Sequence, residues 1–66
     1  MEFDADIWRA AKDLIDLHGE SAALRAAGRV AAFLKERDSA GAMIWTRVHG
    51  AVEELQRARR EGEPLN

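Results

Sequence analysis

From Ile7 to Leu55, apolar residues recur at intervals of three and four, and the only proline is Pro64. That spacing lines one face of a helix, and no segment alternates as a half-buried strand does. The fold is therefore expected to be all-α, a small three-helix bundle with helices at about residues 4–18, 20–37 and 39–60. Sixty-six residues make a single domain, 1–66, with 61–66 read as a frayed tail.

Each segment carries its own start and stop signals. Asp4 is the expected N-cap of the first helix, with Asp6 in its first turn. Ile7, Trp8, Ala11, Leu14 and Ile15 form its apolar stripe, which Phe3 extends. Arg9–Asp13 and Lys12–Asp16 are expected surface pairs four residues apart. Gly19 follows His18 where the helix should end in a left-handed residue.

The second segment is the least ordinary. Arg25, Arg29 and Glu36 form one narrow polar strip with Lys35 apart, and the rest is almost wholly alanine, glycine, leucine, valine and phenylalanine. A helix apolar nearly all round is buried on several sides. Either its two neighbours enclose it, or another chain covers what they leave. Asp38 or Ser39 should cap the third helix. Its core stripe is Ile44, Trp45, Val48, Ala51, Val52 and Leu55, and Glu53–Arg57 is its expected ion pair.

The only two histidines each precede a glycine, at His18-Gly19 and His49-Gly50. The first pair reads as the end of a helix. The second lies inside a periodic run, where glycine costs roughly 1 kcal/mol relative to alanine. Gly50 falls on a face with Met43, Arg47, Glu54 and Arg57, away from the core stripe. That face is a candidate partner contact, together with Leu24 and Gly28 on the second helix.

Chemistry is sparse. Cysteine is absent, which excludes disulfides and thiolate metal sites. The histidines lack the i, i+4 spacing of a helical zinc site. Ser21 and Ser39 stand where turns and caps are expected, and the glycines form no phosphate loop. No catalytic residue, cofactor or metal site is expected, and the protein is not expected to be an enzyme. Trp8 and Trp45 are expected to share the core, and either would mark an interface if exposed.

Residues 1–20 hold six acids and two bases, whereas residues 21–66 hold eight bases and six acids, for a chain total of −2. That balance argues against general nucleic-acid binding. The start, MEFDADIW, lacks the basic and apolar regions of a signal peptide, and no apolar run is long enough to span a bilayer. A cytoplasmic protein without membrane association is expected.

The pattern W-x2-A-x2-LI-x2-HG from Trp8 to Gly19, with D-x2-G-x3-W-x2-V-x2-A-x2-EL from Asp38 to Leu55, resembles a family of short bacterial helical proteins of unknown function. The resemblance implies a three-helix fold and brings no catalytic residue or ligand. The expected role is a protein-interaction module, a regulatory, accessory or inhibitor protein that binds a partner protein or forms a homodimer. One alternative is a small dimeric helix-turn-helix-like DNA-binding regulator, for which Arg47 is the one firm base on the recognition half of the third helix. A metal-dependent enzyme is the second alternative.

Overall fold

The computed structural model describes residues 2–60 and 62, and the side chains of residues 5–60 and 62. Among them the regular structure is all helical, without a strand: α1 (Glu2–His18), a 3-10 turn (Gly19–Ser21), α2 (Ala22–Lys35) and α3 (Ser39–Arg60). Among the described residues the assigned helical structure runs without a gap over 2–35 and again over 39–60, with the left-handed Gly19 marking the junction between α1 and α2. The expected all-α class is borne out. The expected tail at 61–66 lies outside the described residues except for Gly62.

α1 begins at Glu2, so Asp4 lies within the helix and does not cap it. Ile7, Ala11 and Ile15 are its buried stripe, with Leu14 packed beside them. Gly19 has φ +58°, a left-handed conformation that glycine adopts without a Cβ penalty. The Ser21 hydroxyl donates to the His18 carbonyl at 3.0 Å, and the Gln56 side-chain amide donates to the Gly19 carbonyl at 3.0 Å. The second bond ties the turn to the far half of α3. α2 therefore starts at Ala22, after the 3-10 turn, and not at residue 20.

α2 ends at Lys35, two residues before the expected boundary at residue 37. Arg37 takes φ 61°; its N–H bonds to the Leu34 carbonyl and the Asp38 N–H to the Phe33 carbonyl. This is a Schellman ending with arginine where glycine is usual. Asp38 then caps α3, its carboxylate accepting from the Gly41 N–H at 3.0 Å. A very short turn joins the two helices, and the contacts of Phe33 with Gly41 and of Arg29 with Trp45 show that α2 and α3 run in opposite directions. Phe33 packs against Gly41 so closely that an added Cβ there would lie 2.5 Å from the ring.

The core gathers where α3 meets both other helices. Val48 and Val52 are its largest fully buried side chains, and Ala11, Ala22 and Ala26 are 0% exposed. α2 packs chiefly on α3, α1 also on α3, and α1 and α2 touch less. Trp45 and Leu55 pack on the margin of this core. The Arg29 guanidinium lies 5.3 Å from the centre of the Trp45 ring, at cation–π distance.

Several expectations are overturned. Trp8 is 45% exposed and Ile44 39% exposed, so neither is core. Trp8 lies at the edge of the α1 stripe, four residues before exposed Lys12. Ile44 lies nearer the start of α3 than the level flanked by Ile7 and Trp8. α2 is not enclosed by its neighbours: Leu24 is 76% and Leu34 59% exposed, and only Ala22 and Ala26 are buried. The ion pairs also differ. Arg9 meets Asp6 at 3.9 Å and Arg57 meets Glu54, while Glu53 lies 3.7 Å from the His49 imidazole, a contact that is an ion pair only when the ring is protonated.

Val48→Ala is expected to cost about 1–3 kcal/mol in urea unfolding, and Leu14→Ala less per carbon removed because Leu14 is only half-buried. Equal stability of Val48→Ala and wild type would refute this core. Arg37→Gly is expected to raise stability by about 1 kcal/mol by relieving the left-handed arginine. A loss of stability would mean that the arginine side chain holds the turn in another way.

Candidate protein-binding site

An open, shallow groove lies between α1 and α3. Ile7 and Trp8 form one wall; Arg47, Gly50, Ala51 and Glu54 form the other, around about 380 Å³ of open space. The walls follow from the two helix patterns. On α1, Ile7 turns into the core and Trp8, one residue on, falls at the rim. On α3, Ala51 faces the core, while Arg47, Gly50 and Glu54 recur at helical spacing on the outer side.

Gly50 opens the groove. A Cβ built there meets nothing within 4 Å, so the fold itself does not demand glycine. The absent side chain leaves helix backbone accessible beside the half-exposed indole of Trp8. Glu54 and Arg57 form an ion pair on the same face, each more than half exposed. Met43 continues that face toward the start of α3 and is 60% exposed.

Of the residues singled out from the sequence, Arg47, Gly50 and Glu54 line the groove, and Met43 and Arg57 extend the same face of α3. Leu24 and Gly28 do not join them. They lie on the outward side of α2, a separate exposed face where a Cβ on Gly28 also meets nothing within 4 Å. Trp8 was assigned to the core and proves to be the groove's aromatic wall. Its polar i+4 neighbour Lys12 was the available signal, since Ile7 is instead followed at i+4 by buried Ala11.

The histidines play different parts. His18 is half-buried at the end of α1, and its carbonyl accepts from Ser21. His49 faces Glu53 and lines a smaller hollow with Ala27, Val30 and Thr46. Among the described residues no three histidine, aspartate or glutamate side chains gather as a metal site would need. No described helix is long and apolar enough to cross a membrane. No protein-family model matches the chain, no curated protein matches it, and no solved structure matches it.

The groove is an aromatic edge and a bare stretch of helix flanked by a guanidinium and a carboxylate. Such a surface can seat an apolar side chain or a helix and fix its orientation by charge. Two glycine substitutions separate binding from folding. Gly50→Ala is expected to stabilise the fold by about 0.5–1 kcal/mol, because it gains helix propensity into open space. Gly41→Ala is expected to fall below Gly50→Ala by about 1–3 kcal/mol, because the methyl group meets the Phe33 ring. Thermal unfolding of both variants checks the contrast, and equal stabilities would refute it.

Proposed function

We propose that this protein is a small interaction module, a cytoplasmic three-helix bundle of regulatory, accessory or inhibitor type that binds a protein surface through the Trp8–Gly50 groove. The observation that carries this reading is the 45% exposure of Trp8 beside a helical glycine that the fold does not need. Tryptophan is enriched among the residues that dominate binding energy, and it does so where a partner can exclude water from it. Gly50 lets that partner approach the α3 backbone. Exposed Met43, with its flexible side chain, supplies adaptable apolar surface on the same face.

The partner is another protein or a second copy of this chain. A small core built largely from alanine fits a protein that gains stability on association. In this reading the protein has no catalytic role.

Gly50→Arg is expected to leave the helical circular dichroism unchanged and to weaken protein binding at least tenfold, whether the wild type is found to bind itself by light scattering or another protein by affinity capture. Trp8→Ala is expected to weaken the same binding and to cost the fold about 1–2 kcal/mol, less than a fully buried tryptophan would. A wild type that stays monomeric and retains no protein would refute the reading. Unchanged binding in both variants would remove the groove from it.

A further inference from the structure

We infer that the occupant of this face is a second copy of the chain, its α3 crossing the first antiparallel about a two-fold axis at Gly50. The inference rests on the protein-binding reading above and specifies the partner.

A two-fold interface uses one patch twice, so the patch must complement itself. The exposed face of α3 does. Read outward from Gly50, it places Arg47 and then Met43 on one side, and Glu54 and then Arg57 on the other. Helical rise is about 1.5 Å per residue, which sets Met43 and Arg57 each about 10.5 Å from Gly50 along the axis. Arg47 lies about 4.5 Å out and Glu54 about 6 Å out on the same scale. In an antiparallel pair, Arg47 of each copy therefore stands nearly level with the partner copy's glutamate at 54, and Met43 with its arginine at 57. Each Glu54 carboxylate, already paired with its own Arg57, gains a second guanidinium. Met43 lies along the aliphatic stem of the arginine opposite.

At the crossing the two glycines meet. No Cβ stands between the helices, and among the described residues nothing of the same chain lies within 4 Å of where one would be. Trp8 flanks the crossing from α1 and shields the charge pairs from water. The outward face of α2 lacks this symmetry. About Gly28, Leu24 would meet Ala32 of the other copy, and α2 holds no acidic residue to stand opposite Lys35.

The test is molar mass by light scattering across a concentration series for the full chain, for Arg47→Glu, for Glu54→Arg, and for an equimolar mixture of those two variants. Both positions are exposed, so circular dichroism should be unchanged. The wild type is expected to be a dimer. Each variant alone is expected to dissociate at least tenfold more readily, because it sets like charges opposite one another. The mixture is expected to recover dimers, since the carboxylate placed at 47 meets the guanidinium placed at 54, and the native pair meets on the other side. A monomeric wild type would overturn this inference, while leaving the broader reading intact if Gly50→Arg still abolishes capture of another protein. Variants that dimerise as wild type does, or a mixture that stays monomeric, would overturn it as well.

Discussion

Alanine at the helix contacts sets the distance on which the whole molecule depends. Ala11, Ala22 and Ala26 are completely buried, and Val48 and Val52 are the largest side chains fully enclosed. Small side chains let α1 and α2 settle closely on α3, but they remove little apolar surface from water at each contact. The stabilisation of such a core scales with that area, at about 25 cal/mol per Å². Helix endings and turns therefore matter more here than in a domain built on leucine and phenylalanine. The Asp38 cap, the left-handed Gly19 and the Gln56 bond to the Gly19 carbonyl each fix a junction that a larger core could leave loose.

The same economy leaves surface over. α3 is touched on two sides, and its third side carries Met43, Arg47, Gly50, Glu54 and Arg57 to solvent. α2, touched mainly by α3, turns Leu24 and Gly28 outward. The two exposed faces differ in kind. One has an aromatic wall and both signs of charge; the other is apolar with Lys35 at its end. Directional recognition needs the first arrangement, because charge fixes how a partner is oriented and apolar contact alone does not.

The helical character of the chain was legible from spacing alone, because a period of three and four admits no other regular structure over such a length. The spacing and local signals read residues 39–60 as a helix with correct bounds and Gly19 as the stop before α2; of the two caps they offer, Asp38 and Ser39, Asp38 is the one used. Assignments that depend on how helices sit against one another fared worse. Trp8 and Ile44 lie on periodic stripes, yet one falls at the edge of its stripe and the other outside the level where α1 flanks α3. Arg37 gave no sign of a left-handed turn, since any such sign would have been a glycine. The Arg47–Gly50–Glu54 side of the groove was visible as an outward helix face. Its Trp8 wall was only partly legible: polar Lys12 at i+4 marks Trp8 as the edge of its stripe, but nothing local says which flank of α3 that edge meets.

The two tryptophans occupy different environments, and the chain has no tyrosine. Trp45 lies under the Arg29 guanidinium where α2 meets α3. Trp8 stands half in water at the mouth of the groove. The molecule thus carries two optical reporters on separate events. Emission from Trp45 reports on the docking of α2 onto α3, and emission from Trp8 on the water content of the groove mouth.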